Sequence, residues 1–461
     1  MALYPFLKDR IPAAKALIGE LRKSFEYVSI LGSYTKSTRI VSGTRSTSVD
    51  ETENECGFVI RTFDGKYYSE YSVNDIAGLS AEEVKKKMEL PEMHQEFVDV
   101  KAIQEEAMEK SFAREDAHPL SREEILSRLE EMRHYYENYD SRIIYANLVY
   151  RKQEVSKIFV SEKKCLDQYT CWVNAIVSLS VRENDILKDV YKTENEADSA
   201  LALKELSNRR EEIAQLAIHM LEATPITPGE YDIITDPSIT GLIAHEAFGH
   251  GVEMDMFVKH RAKSVNYLGK KVASKLVSMH DGASAALSQA SYFFDDDGVL
   301  AHDTLIIKDG ILQTGISDAL SALQLGTEPT GNGRRESFKR KAYTRMTNTF
   351  FSPGKDKLED MFASVKHGYY LCDTNNGMED PKNWQIQCTA MYGLEIVDGK
   401  FSGKIVSPVV ISGSVLDLLN SISMVSDEYK VIGSGSCGKG YKEWVLVSDG
   451  GPYLKARAKL G

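Results

Sequence analysis

Several features that would tie this 461-residue chain to a membrane, a nucleic acid or an oxidising compartment are scarce in it. Cysteine is sparse: Cys56, Cys165, Cys171, Cys372, Cys388 and Cys437 are scattered, with none of the regular spacing of a disulfide framework. Reduced thiols in the cytoplasm are therefore expected. No stretch reaches the roughly 18 consecutive apolar residues that a membrane-spanning helix needs. The opening segment MALYPFLKDRIPAAKALIGE carries charges early and lacks a continuous apolar core, so a signal peptide is not expected. Positive charge is also short, with 56 Lys and Arg against 68 Asp and Glu and a net charge of −12. This argues against nucleic acid or an anionic membrane as the main partner.

What is present is the composition of a globular protein, 42% hydrophobic and 27% charged, long enough for more than one core. Ala13–Phe25 has helical spacing. GFVIRTFDGKYYSEYSV then alternates as two strands around an Asp64-Gly65 turn. From about Ser80 to Tyr139 the composition is charged and helical, with Pro91 and Pro119 as breaks. Ser141 to Val181 is strand-like. Thr193 and Glu196 have the spacing of a capping box ahead of a long helix. Pro225, Pro228 and Gly229 punctuate the chain, and the main boundary is placed there. The expectation is an α+β fold of two domains: an N-terminal α/β domain, 1–224, and a mixed, β-rich C-terminal domain, 225–461. Asp236-Pro237 suits the start of a helix, Asp309-Gly310 and Asp398-Gly399 suit hairpin turns, and a short helix is expected over Val415–Ile422.

The sharpest chemical signal is His245-Glu246-Ala247-Phe248-Gly249-His250. Two imidazoles beside a carboxylate are what a hydrolytic zinc site requires, with Glu246 as base. The familiar spacing of such a pair is i and i+4. Here it is i and i+5, which on a regular α-helix turns the two side chains roughly 140° apart. A π-bulge brings them onto one face, and Gly249 and Gly251 make the distortion cheap. A bulged or broken helix is therefore predicted at Phe248–His250. A catalytic zinc takes a third protein ligand. Nearby candidates are Glu253, Asp255 and His260; distant ones are Asp295 to Asp297 and Cys437, which lies in the glycine-rich segment VIGSGSCGKGYKEW.

HEAFGHGVEMD resembles the HExxxH signature of the TldD/PmbA metallopeptidases. The resemblance continues through DDDGV (Asp295–Val299), GNGRRESF (Gly331–Phe338), RMTNTFFSPG (Arg345–Gly354) and the glycine-flanked Cys437. It implies zinc (Zn2+) held by His245, His250 and Cys437, with Glu246 as the catalytic base. It also implies the catalytic type of subunit, working in an enclosed cleft on small or unfolded peptides. The partner would be a second copy or a metal-less sister subunit. Met254 departs from the family, which often has Gly there. Arg345 and Asn348, where the resemblance is dense, are the expected substrate-binding residues, and Asp255 is a candidate partner for a ligating imidazole. The rival function is a non-enzymatic assembly subunit with a structural metal. A P-loop-like run, Gly433 to Lys439, fails as a nucleotide site because Gly440 replaces the Ser/Thr and a strand follows.

Overall fold

The computed structural model describes residues 3–51, 54–90, 94–95, 101–440 and 442–461; the expected break at Pro91 lies outside them. The first helix, Pro5–Leu21, begins earlier than its apolar spacing suggests, because Pro5 sits in its first turn, where a missing N–H costs nothing. The hairpin follows as Glu55–Phe63 and Tyr68–Val73. These strands join a nine-stranded sheet that runs from Tyr27 to Glu196, with the long strands Tyr27–Gly43, Ile143–Ser161 and Lys164–Glu183 at its centre.

Two sequence expectations are corrected in this region. Met108–Arg114, inside the stretch read as helical, is a strand parallel to Lys164–Glu183. Thr193 and Glu196 belong to the strand Ile186–Glu196, and the helix after it is capped by Asp198, whose side chain accepts the Leu201 N–H. Cross-strand pairing with Val173–Glu183 outweighs the local capping pattern. Two helices, Ser199–Asn208 and Arg210–His219, replace the single long one and pack on the sheet beside Arg122–Tyr139.

The second sheet has eleven strands, running from Gly229 to Leu460. Five of them form a closed circuit: Gly229–Thr235, His367–Asp380, Gln385–Val397, Val409–Ser414 and Val445–Leu460 pair in turn, and the last pairs back to the first. Closure leaves these strands no free edge and gives a rigid frame. Turns at Asp309-Gly310 and Asp398-Gly399 join the expected hairpins, and Val415–Ser421 is helical.

The two sheets meet over a mixed apolar and ionic seam. Phe294 and Phe338 pack among Leu31, Val59 and Phe159, so closely that a Cβ on Gly57 would lie 2.3 Å from the Phe338 ring. Around them Arg61 pairs with Asp297 at 2.7 Å and with Glu70 at 2.7 Å, Arg335 pairs with Glu70, and Lys157 pairs with Asp296. Asp296 and Asp297 are thus engaged on the seam, and none of Asp295–Asp297 belongs to the ligand group of His245 and His250. Among the described residues no helix is long and apolar enough to cross a membrane.

Candidate metal centre

Asp236 opens the helix that carries the two histidines: its side chain accepts the Ile239 N–H, and Pro237 follows at the first helical position. Regular α-helix lasts only from Pro237 to Leu242. From Ile243 to Gly249 the turn widens to π, closed by the His250 N–H on the carbonyl of His245, and His250–Val252 tightens again. The distortion begins one turn earlier than predicted. Its consequence is the expected one, since both imidazoles come to one face, with ring centroids 5.1 Å apart and planes at 88°. Gly249 permits it: a Cβ there would sit 2.1 Å from Met346 Sδ.

Cys437 arrives from the far end of the sequence, at the last residue of the strand Met424–Cys437 and paired with Val445. Candidate ligand atoms of His245, His250 and Cys437 all lie within 4.8 Å of one another. Cys437 Sγ is 3.3 Å from His250 Nε2. Burial works against ionising the Cys437 thiol, but the facing imidazoles of His250 and His245 bring it down to about 4. Burial likewise works against protonating the imidazoles, and the thiolate holds both above the ordinary histidine range. Nδ1 of the buried His245 has no hydrogen-bond partner among the described residues. An unpartnered buried nitrogen beside a thiolate and a second imidazole is a donor set that fits a thiophilic divalent cation. Glu246 lies on the same turn, its Oε2 4.0 Å from His250 Nε2. A Cβ on Gly377 would lie 2.5 Å from Glu246 Cγ, so the strand above crosses directly over the carboxylate.

Behind the ligands stands a charged lattice. Glu253 Oε2 is 3.5 Å from His250 Nδ1, leaving the Nε2 side facing the thiol. Lys439 Nζ lies 3.0 Å from Glu253 and 2.7 Å from Asp255. Arg345, 1% exposed, approaches Glu253 at 3.5 Å and donates to the carbonyls of Cys437, at 2.8 Å, and Glu443. Burial opposes the charge on Glu253, yet Lys439, His250 and Arg345 hold its carboxyl well below the usual range.

These contacts correct several expectations. Arg345, expected to bind substrate, is buried, and its guanidinium is engaged by Glu253 and two backbone carbonyls. Asn348 is also fully buried, and its Nδ2 donates to Gly282 O, Ala286 O and Ser291 Oγ. The partner of His250 is Glu253; Asp255 reaches the ligands only through Lys439. His260 is exposed, at a backbone φ of 54°, and lies outside the ligand group. The P-loop-like run is strand only as far as Cys437, and Lys439 just beyond it is already engaged by carboxylates. Sequence reasoning passed over Lys439 as a brace, and also Glu379 and Asp449, whose carboxyls act on the same imidazoles. No local motif marks those two; only the folding of distant strands over the helix reveals them.

Residues 228–457 match the PmbA/TldA metallopeptidase C-terminal domain. The chain belongs to the TldD/PmbA family. A metalloprotease of Methanothermobacter thermautotrophicus is 32% identical over 255 residues, 54% of this chain and 55% of that relative. A zinc metalloprotease TldD homolog of Saccharolobus solfataricus is 31% identical over 241 residues, 52% of this chain and 53% of the relative. The chain thus spans about half the length of the curated relatives it matches. In fold it follows TldE of Thermococcus kodakarensis over 97% of this chain and all of the other, with a TM-score of 0.76 at 18% identity. Met254 packs against Gly315, where a Cβ would lie 2.7 Å from its Cγ.

Proposed function

We propose that the chain is the catalytic type of TldD/PmbA subunit, a zinc-dependent peptidase that hydrolyses small or unfolded peptides. The observation that carries this is the convergence of His245, His250 and Cys437, from segments nearly two hundred residues apart, beside Glu246. Among the described residues that ligand group has three members and no fourth, the pattern of an open catalytic zinc rather than a closed structural one. Zinc bound there would supply Lewis-acid polarisation of the scissile carbonyl and a water of lowered pKa. Glu246 takes the proton of the attacking water and passes it to the leaving amine. Glu253 fixes the His250 ring through Nδ1, and Lys439 and Arg345 keep Glu253 ionised and in place. A cytoplasmic setting and a dimer with a second copy or a metal-less sister subunit, around an enclosed cleft, complete the proposal. So does the division into domains at 1–224 and 225–461.

The test is metal content and turnover together. About one zinc per chain is expected in the wild type, weakened in His245→Ala and Cys437→Ser. Glu246→Ala should keep the zinc and lose peptide hydrolysis. Full zinc affinity in Cys437→Ser, or undiminished turnover in Glu246→Ala, would overturn the assignment.

A further inference from the structure

The face that the first sheet turns toward the C-terminal domain changes character along its strands. At one end Leu31, Phe159 and Leu166 pair across three strands and meet Phe294 and Phe338 in the apolar seam. Side chains two apart on a strand share a face. Two residues along, Lys157 and Gln168 take the place of the apolar pair, then Thr35 and Thr170 flank Val155, and then Gln153 faces Trp172. Instead of packing against the second sheet, this polar end lines a cavity of about 300 Å³ between the two.

The opposite wall of the cavity abuts the candidate metal centre. Val445, the cross-strand partner of Cys437, lies in it. Trp444 beside it is half exposed, its ring 3.1 Å from where a Cβ on Gly438 would stand. Arg334 lies in the same wall, its Nη1 donating to the Met346 carbonyl at 2.6 Å and its Nη2 to that of Leu446 at 2.7 Å. Met346 is the residue whose Sδ packs against Gly249, between the two histidines.

Two donors in this cavity are left over by the fold. The carbonyls take two of the five N–H groups of Arg334, and the guanidinium makes no ion pair among the described residues. Its basic neighbours do: Arg335 pairs with Glu70 and Lys157 with Asp296. Of the carboxylates around the cavity, Asp296 also accepts the Arg335 N–H and Glu336 faces Arg340 at 3.9 Å. Glu55 lies beside Thr35 on the first sheet, across from the wall that carries Arg334. A guanidinium stays charged in any protein environment, so its enclosure favours an arriving anion. The second donor is Trp172, which is 6% exposed and whose indole N–H has no hydrogen-bond partner among the described residues. Buried donors of this kind are rare, and a ligand that brings a carbonyl satisfies one.

We infer that this cavity is a carboxylate-selective part of the substrate site: Arg334 takes a carboxylate close to the scissile bond, and the Trp172 N–H takes a backbone carbonyl of the same peptide. The planar fork of Arg334 suits the two oxygens of a carboxylate. The inference rests on the peptidase reading above and names the substrate feature that reading leaves open. The carboxylate can be the peptide C-terminus, which makes the last residues of the substrate the ones released, or the side chain of an aspartate or glutamate.

The experiment uses the zinc-loaded full chain and a peptide without acidic residues, as its free acid and as its C-terminal amide, plus amidated peptides carrying glutamate or glutamine at each position in turn. Turnover is read on the wild type, and calorimetric affinity on zinc-loaded Glu246→Gln, which reports recognition even where nothing is cleaved. Loss of the carboxylate should weaken binding and kcat/KM by about tenfold or more. Tight binding of the free acid alone would assign the carboxylate to the C-terminus; recovery by an amidated glutamate peptide would assign it to a side chain. In Arg334→Gln the preference should vanish, and in Arg334→Lys, which keeps the charge without the fork, part of it should remain. Trp172→Phe should weaken acid and amide forms alike; undiminished affinity there would overturn its part in the site. A preference that survives in Arg334→Gln would put the carboxylate on the metal and overturn the inference. Equal affinity for the charged and neutral peptides in the wild type, a comparison that needs no variant to fold, would overturn it too while leaving the peptidase reading intact. Carboxylate-selective binding without any cleavage would overturn only the peptidase reading.

Discussion

At the scale of single residues, the candidate centre is braced by buried charged groups behind its ligands. Arg345 is the clearest: its guanidinium spans Glu253 and two carbonyls at the end of the Cys437 segment. Removing one member of a buried ion pair leaves the other charge unpaired, at a cost of about 3–5 kcal/mol. Arg345→Ala should therefore lower the unfolding midpoint and the zinc affinity together, as a denaturation curve and a chelator competition would register. A higher KM with unchanged stability would instead restore the substrate-clamp role. Glu253→Gln probes the same lattice closer to the metal. Loss of the carboxylate behind a ligating histidine lowers metal affinity about 10–100-fold, and zinc titration should find that loss with the fold intact.

The helix that presents the ligands is an element whose irregularity is its purpose. A regular turn cannot aim residues five apart at one point; the π turn over Ile243–Gly249 can. Gly249 lies against Met346 Sδ, where a Cβ would be 2.1 Å away, and Met346 is itself buried. Overpacking of this kind costs about 1–3 kcal/mol. Gly249→Ala should show that loss and a reduced zinc stoichiometry, and Gly249→Ala with Met346→Ala should recover part of both. If Gly249→Ala binds zinc as the wild type does, the glycine is not what admits the turn. The spacing in the sequence was enough to demand a distorted helix. The place where the distortion starts was not legible, because it depends on Met346 and on the strands packed over the helix.

Across the whole molecule, the two sheets are held in register by the seam of Phe294, Phe338 and the ion pairs around Glu70. Burial opposes ionisation of Glu70, but Arg335 and Arg61 overcome it and hold its carboxyl down at about 2. A folded-state pKa below the unfolded one stabilises the protein above the unfolded value, and that contribution is lost as pH falls toward the folded one. The wild type should thus lose stability between about pH 4.5 and pH 2, with the share of Glu70 on the order of 3 kcal/mol. In Glu70→Gln that share is missing at pH 7, so its chemical-denaturation midpoint should be lower there and should fall less with acid. Parallel pH profiles for the two proteins would show that the seam does not depend on this charge.

The sequence by itself determined the core of the candidate site: a pair of histidines and a glutamate in one short run, and an irregular helix to present them. These are local facts, written in neighbouring residues and readable without coordinates. It also determined the hairpins, whose Asp-Gly turns are local in the same sense. What only the tertiary structure decided is everything that joins distant segments. It brought Cys437, rather than any of the six other candidates, to the two histidines, placed Glu253 rather than Asp255 behind His250, and turned Arg345 and Asn348 inward. It also brought Glu379 and Asp449 to opposite sides of one helix. Such choices follow from the closed circuit of strands, whose pairings are set by long-range packing rather than by the preferences of any one segment.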